Sequence, residues 1–302
     1  QSENILPGAG SSDLIFLALR QWLTSSSHVL ILDPTYGEYA HVLEHVVRCR
    51  VDRIALTREN NYQLDLDHFV SIAARGYDLI VLVNPNSPTG RHVPRIELEA
   101  ALLKIPATTR VWVDETYIDY AGPGESIEFF AAASPNVVVC KSMSKVYALS
   151  GARAAYLCGT AAVVEDLRAI NPPWAVSLLA QVAGVAALQD SDYYTARYVE
   201  THHLRDQFAE RLSELTGWEI LPGVANFLLC ELPEDGPDAA AVVKHCRARG
   251  LFLRDAGAMG RSLGRHTLRI AVKDAETNER ILRIIATLNN RLLPEANGVL
   301  SV

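Results

Sequence analysis

The chain has 302 residues, a net charge of −7, 49% hydrophobic residues and 21% charged residues. That balance excludes a disordered chain and argues against a nucleic-acid binder. It allows two domains or one large α/β domain, and no apolar run reaches the roughly 18 residues of a membrane span, since the longest, around Leu178 to Leu188, is broken by Gln181 and Gly184. The five cysteines, Cys49, Cys140, Cys158, Cys230 and Cys246, are scattered without a CxxC pair. They suggest neither a disulfide framework nor a metal site, and a reducing cytoplasm is the expected home. The chain opens without methionine and without a signal peptide, and Asn4-Ile5-Leu6 already runs towards a Gly-rich turn, so the N-terminus reads as cut off.

In chain order, apolar periodicity predicts a helix at Ser12–Leu23, strands at Val29–Leu32 and Arg50–Leu56, and a helix at Leu66–Ala74. A strand at Asp78–Val83, a helix at Arg95–Leu103, strands at Val111–Asp114, Val137–Cys140 and Ala154–Cys158, and a helix at Val163–Ile170 follow. Near-continuous apolar strands alternating with amphipathic helices predict a mostly parallel sheet covered on both faces. Beyond Pro172-Pro173 the pattern changes to helices at Val176–Gln189 and Tyr193–Leu215 and strands at Trp218–Ile220 and Asn226–Glu231. A helix at Asp238–Arg249, a strand at Leu268–Val272 and a helix at Glu276–Arg291 close the chain. The expected organisation is a large domain over residues 1–198 and a smaller α+β domain over 199–302.

Chemistry concentrates at the predicted strand ends. Lys141-Ser142-Met143-Ser144-Lys145 follows an apolar strand, and Arg153 lies eight residues after Lys145. A lysine among hydroxyls suits condensation with a carbonyl, and an arginine fork suits phosphate oxygens. Read alone, the same stretch is a surface loop. Val111-Trp112-Val113-Asp114-Glu115-Thr116-Tyr117 ends a strand in two acids and a tyrosine, where Asp114 can hold a protonated pyridine nitrogen and Tyr117 a phenolate oxygen; the plain alternative is a solvated strand end. Asn84-Pro85-Asn86-Ser87-Pro88-Thr89-Gly90 is a rigid polar turn. Leu6-Pro7-Gly8-Ala9-Gly10-Ser11-Ser12-Asp13 leads into a helix whose free N–H groups favour an anion, although Ser12 or Asp13 also serves as a simple cap. Tyr36 in Asp33-Pro34-Thr35-Tyr36-Gly37-Glu38-Tyr39 can stack on a flat ring or simply pack.

In this order the motifs GSSD, PTYGEY, NPNSPTG, VDETYIDY, SMSK with Arg153, and LRIAVK resemble the pyridoxal-phosphate aminotransferases of the aspartate aminotransferase superfamily, in the histidinol-phosphate aminotransferase and threonine-phosphate decarboxylase branch. The resemblance implies a large, mostly parallel α/β domain, a smaller α+β domain, a cytoplasmic homodimer and pyridoxal 5'-phosphate as cofactor, with no metal. It makes Lys145 the lysine that condenses with the cofactor, Asp114 the partner of the pyridine nitrogen and Tyr117 the donor to the ring oxygen. Ser11, Ser12, Ser142, Ser144 and Arg153 then hold the phosphate and Tyr36 stacks on the ring. Arg269 clamps a substrate carboxylate, and Asn226 lies near the substrate. The family's usual asparagine before Pro-Thr-Gly is Ser87 here, so the duty of that asparagine passes to Ser87, Asn86 or Asn84. The family's upstream arm and lid are missing from this sequence. The implied activity is transamination of an amino acid or amino-phosphate with a 2-oxo acid as co-substrate. Decarboxylation of the threonine-phosphate type on the same scaffold is the alternative. A pyridoxal-phosphate-sensing domain of a transcription regulator is the non-enzymatic one.

Overall fold

The computed structural model describes residues 1–289. Its larger sheet contains β1 (Ile5–Gly8), β2 (His28–Asp33), β3 (Arg50–Ala55), β4 (Leu79–Val83), β5 (Arg110–Asp114), β6 (Val137–Ser142) and β7 (Ala155–Cys158), in the order β1-β7-β6-β5-β4-β2-β3. The five strands from β6 through β3 run parallel, as their apolar character predicts. The end formed by β7 and β1 is antiparallel. β1 is absent from the sequence reading, which saw only a Gly-rich turn: its four residues include Pro7 and Gly8, and it forms only by pairing with β7 at the sheet edge.

Period-two alternation sorts the strand side chains between two cores. Leu30, Leu32, Ile80, Leu82, Val111, Val113, Val137 and Val139 face one way. Val29, Ile31, Leu79, Val81, Trp112, Val138 and Cys140 face the other, under α1 (Ser11–Trp22) and the short helix α2 (Gly37–His41), which continues as a π-helical turn over Val42–Val47. The remaining crossover helices are α3 (Leu66–Ala73), α4 (Arg95–Leu102), α5 (Glu128–Ala133) and α6 (Ala161–Arg168).

α7 (Leu178–Gln189) and the 26-residue α8 (Ser191–Thr216) lead to a second, antiparallel sheet in the order β10-β11-β9-β8, formed by β8 (Glu219–Leu221), β9 (Phe227–Glu231), β10 (Arg254–Asp255) and β11 (Thr267–Ala271). Leu228, Cys230, Leu268 and Ile270 pack there against α8, α9 (Ala239–Arg247) and α10 (Ala275–Asn289). The predicted closing helix starts one residue early, and its residues 290 and 291 lie outside the described part. Among the described residues no helix is long and apolar enough to cross a membrane.

Polar contacts tie the two sheets together beside the ends of the parallel strands. Tyr62 Oη donates to Glu231 Oε1 at 3.0 Å, and Val224 N donates to Gly90 O at 2.8 Å. The loop between β10 and β11 is fastened to the end of β2: Arg261 N donates to Asp33 Oδ1 at 2.7 Å and Ser262 Oγ to Asp33 O at 2.9 Å. Gly260 must be glycine for this approach, because a Cβ there would run into Pro34 and Asp33.

Candidate active site

The carboxyl ends of β2, β4, β5 and β6 open into a cavity of about 350 Å³, closed from the other side by residues of β10, β11 and their loop. Eleven of the predicted residues line it: Ser11, Ser12, Tyr36, Ser87, Asp114, Tyr117, Ser142, Ser144, Lys145, Arg153 and Arg269.

One end is built for an anion. α1 begins at Ser11 after Gly10, whose φ of 91° and close contact with the Arg153 guanidinium leave no room for a side chain. Arg153 itself sits at φ 57°, with Nη1 3.4 Å from Ser144 Oγ and 3.3 Å from Ser150 O. Unpaired helix N–H groups, two serines and a guanidinium therefore share one end of the cavity. Ser12 Oγ also donates to Glu38 Oε2 at 2.9 Å.

Strand alternation separates the two acids of β5 and its exit. Asp114 follows Trp112 on the same face and meets the cavity, 3% exposed. Burial holds its carboxyl above the usual range, opposed by hydrogen bonds from Thr116 N to Oδ1 (2.9 Å) and from Tyr39 Oη to Oδ2 (2.7 Å). Glu115 points to the opposite side, where it accepts from Ile127 N at 2.8 Å and Ser126 Oγ at 2.5 Å, with Lys141 Nζ 3.8 Å away. Burial pushes its carboxyl up to about 7. Tyr117 is buried beside Asp114 with its ring edge-on to Phe227 at 5.4 Å, and burial raises its phenol, as it does that of Tyr36.

Lys145 follows β6 in a turn-rich segment and opens onto the cavity. Burial, then the positive charges of Arg269, Arg153 and Lys273, lower its ammonium pKa and favour the free amine. Arg269 lies over the Phe227 ring, 4.6 Å from its centroid, and donates through Nη1 to Ser87 Oγ at 3.1 Å. Nε and Nη2 have no protein partner among the described residues.

Three residues that the sequence offered for the site, Asn86, Asn84 and Asn226, stand outside the cavity lining. Asn86 is buried with its amide donating to Pro34 O at 3.0 Å and Thr89 Oγ1 at 3.1 Å, and it accepts from Thr35 Oγ1 at 3.2 Å. Asn84 is likewise committed to Val93 N and O. Ser87 is the one side chain that turn offers to the cavity. Asn226, one residue ahead of β9, has its side chain on the Tyr120 hydroxyl and its carbonyl accepting from Val272 N.

Arg254, Met259, Thr116, Val83 and Ser150 also line the cavity, and the sequence does not mark them as site residues. The signal for Arg254 is pairing rather than motif: it is the register partner of Arg269 across β10 and β11. Two like charges opposite one another repel, and Arg254 adds to burial in lowering the guanidinium pKa of Arg269.

The sequence matches the family described as aminotransferase class I and II over residues 1–285. It is 26% identical over 288 residues to a histidinol-phosphate aminotransferase of Moorella thermoacetica, covering 94% of this chain and 72% of that one. The solved histidinol-phosphate aminotransferase of Clostridium acetobutylicum superposes with a TM-score of 0.86 at 22% identity, over 96% of this chain and 84% of that one. The L-threonine-O-3-phosphate decarboxylase of Porphyromonas gingivalis gives 0.79 at 22% identity, over 96% and 85%. With a matching sequence over nearly its whole described length, this fold and a lysine-bearing cavity at the strand ends, the chain belongs to the class I and II aminotransferase family of enzymes.

Proposed function

We propose that this chain is a pyridoxal-phosphate-dependent aminotransferase of the histidinol-phosphate type, with Lys145 as the lysine that carries the cofactor. The observation that carries this reading is the convergence, in one cavity, of an anion cradle, a buried carboxylate and a lysine whose amine is favoured by burial and neighbouring charge. The residues fit pyridoxal 5'-phosphate. Ser11, Ser12, Ser142, Ser144 and Arg153 hold the phosphate, Tyr36 packs on the ring, and Tyr117 and Ser87 address the ring oxygen. Asp114, buried and ready for a cationic partner, takes the ring nitrogen. When bound, the cofactor supplies a protonated ring that withdraws electrons from the bonds of the substrate Cα. Lys145 Nζ accepts the Cα proton as a general base and returns it as an acid. Asn86 supports the Ser87 turn, and Asn226 braces Tyr120 at the substrate side.

The substrate side is set by Arg269 and Arg254, whose facing charges favour a substrate with two anionic groups, a carboxylate with a phosphate or a second carboxylate. That requirement suits an amino-phosphate or a dicarboxylic amino donor and its 2-oxo acid. It equally suits threonine-phosphate-type decarboxylation, which is the second reading, and carbon dioxide release distinguishes the two. The remaining parts of the proposal are a large domain over 1–198, a small one over 199–302, a cytoplasmic location and a homodimer. The dimer is supported by an uncovered apolar face, with Trp174 96% exposed and Leu178, Leu179 and Val182 beside it on α7.

The test is borohydride reduction of protein incubated with pyridoxal phosphate, followed by peptide mapping. The label is expected on Lys145, with loss of labelling in Lys145→Ala, and a label on another lysine refutes the assignment. An amino-donor screen that includes histidinol phosphate and threonine phosphate then identifies the substrate.

A further inference from the structure

Asp114 is held by more than its own strand. Tyr39 and Trp112 are both fully buried, and their polar atoms form a line that ends on the Asp114 carboxylate. Trp112 Nε1 donates to Tyr39 Oη at 2.7 Å, and Tyr39 Oη donates to Asp114 Oδ2 at 2.7 Å. The direction is forced, because an indole N–H can only donate. Tyr39 Oη must accept from Trp112, so its own proton is committed to Asp114. The sequence builds the line by simple periodicity: Trp112 and Asp114 are i and i+2 on β5 and share a face, and α2 packs Tyr39 onto that face between them.

The other groups around Asp114 do not supply a compensating charge in the same way. Glu38, next to Tyr39, is like in sign and acts against ionisation of Asp114. Cys140 on β6 is a buried thiol pushed well up, and the phenols of Tyr36 and Tyr117 are raised and neutral. The donors that oppose burial and favour the carboxylate are Thr116 and Tyr39. Thr116 acts from two residues along the same segment, through its backbone N and its side chain. Tyr39 is the side chain that a separate element brings to the Asp114 carboxylate.

We infer that Tyr39, oriented by Trp112, is a positioning residue that keeps Asp114 ionised and fixed in place as the partner of the cofactor ring nitrogen. This rests on the reading of Asp114 given above. Between a carboxylate and a pyridine nitrogen one proton is shared, and a weaker hydrogen bond to the carboxylate moves that proton from nitrogen to oxygen. Loss of the Tyr39 hydroxyl shifts the pair from carboxylate with pyridinium towards carboxylic acid with neutral pyridine, and the electron-withdrawing power of the ring falls with it.

The experiment uses the full chain reconstituted with pyridoxal phosphate labelled with nitrogen-15 in the ring, in the wild type and in Tyr39→Phe, Trp112→Phe, the double variant and Asp114→Asn. The readouts are the ring nitrogen chemical shift and the dissociation constant for cofactor added to the cofactor-free protein. Tyr39→Phe is expected to move the nitrogen signal towards neutral pyridine and to weaken cofactor binding on the order of tenfold, the scale of one hydrogen bond to a charged group. Trp112→Phe, which leaves the bond from Tyr39 to Asp114 in place, is expected to do less. The double variant separates electrostatics from packing, because it removes the indole N–H that Tyr39→Phe alone leaves without an acceptor. A double variant as impaired as Tyr39→Phe supports the inference; recovery of the wild-type signal and affinity overturns it. A pyridinium signal and a dissociation constant within twofold of wild type in Tyr39→Phe also overturn it. If Tyr39→Phe does not fold, 3,5-difluorotyrosine at position 39, a stronger donor of the same shape, is expected to move the signal further towards pyridinium, and an unchanged signal or a move towards neutral pyridine counts against the inference. Asp114→Asn tests the underlying reading separately: a pyridinium signal that survives in that variant removes Asp114 from the ring nitrogen whatever Tyr39 does.

Discussion

Replacing Arg269 by lysine separates the shape of the proposed carboxylate clamp from its charge. The Arg269 guanidinium spends Nη1 on Ser87 Oγ and lays its face on Phe227, which leaves Nε and Nη2 as an edge for two oxygens of one carboxylate. Lysine keeps the positive charge and one hydrogen bond to such a carboxylate but loses the second, along with the planar contact over Phe227. A hydrogen bond to a charged group contributes roughly 1.5–3 kcal/mol, so substrate affinity should fall by about 10- to 150-fold. The repulsion from Arg254 across the strand pair stays as it is, because lysine carries the same charge, so the loss reflects the hydrogen bond and the planar contact alone. Cofactor affinity should change little, because the phosphate cradle at Ser11, Ser12 and Arg153 does not include Arg269. The assay is titration of the cofactor-loaded protein with a dicarboxylic amino donor, followed by absorbance, alongside cofactor titration of the cofactor-free protein. A change in substrate affinity below threefold would refute the clamp, and an equal loss in cofactor affinity would show that Arg269 serves the whole site rather than the substrate.

Asp114→Asn should retain cofactor through Lys145 and the phosphate cradle while slowing Cα deprotonation by about 10²–10³-fold, the scale of losing one preorganised electrostatic group; stopped-flow turnover near wild type would contradict this. Tyr62→Phe removes a donor from Glu231, whose carboxyl burial already holds above its ordinary value. A raised folded-state carboxyl pKa disfavours the ionised native form, so stability from this group falls as pH rises from about 4.5 through the raised value, and the variant deepens that fall. Urea denaturation should therefore show a loss of roughly 1.5–3 kcal/mol at pH 8 and a smaller one at pH 4, and a loss that is larger at pH 4 would refute the assignment of Glu231 as the buried charge. Leu179→Asp, at an 82% exposed position on α7, should convert a dimer to monomers in light scattering without changing the circular dichroism of the fold, and an unchanged mass would move the interface elsewhere.

The parallel core was legible because β2, β4, β5 and β6 are buried on both faces, and such strands are written as unbroken Val, Ile and Leu. β1 and β10 were not, because strands of four and two residues carry too little pattern and exist through their partners. The same holds for α2 and α5, of five and six residues. In the site, residues inside motifs at strand ends were readable one by one, and the fold brings eleven of them to one cavity. Arg254 lacked a motif, since what marks it is its register opposite Arg269 across a hairpin whose loop runs for eleven residues. The separate fates of Asp114 and Glu115 follow from strand alternation, which sequence does show, but the partners that fix each acid, Tyr39 on one side and Ser126 with Lys141 on the other, come from distant segments.

The fastening of Arg261 and Ser262 to Asp33 has a kinetic consequence. The loop it secures joins β10 to β11 and so connects the two arginines that line the cavity, and Met259 within it forms part of the cavity wall. A transaminase must release one product and admit a second substrate in every cycle. If that traffic requires the wall to swing outward, the hydrogen bonds at Asp33 act as a latch whose release is counted in the turnover time, and Asp33→Ala would hasten exit while leaving the arginines less well aimed. Turnover and selectivity would then move in opposite directions after a change at a residue that touches neither cofactor nor substrate.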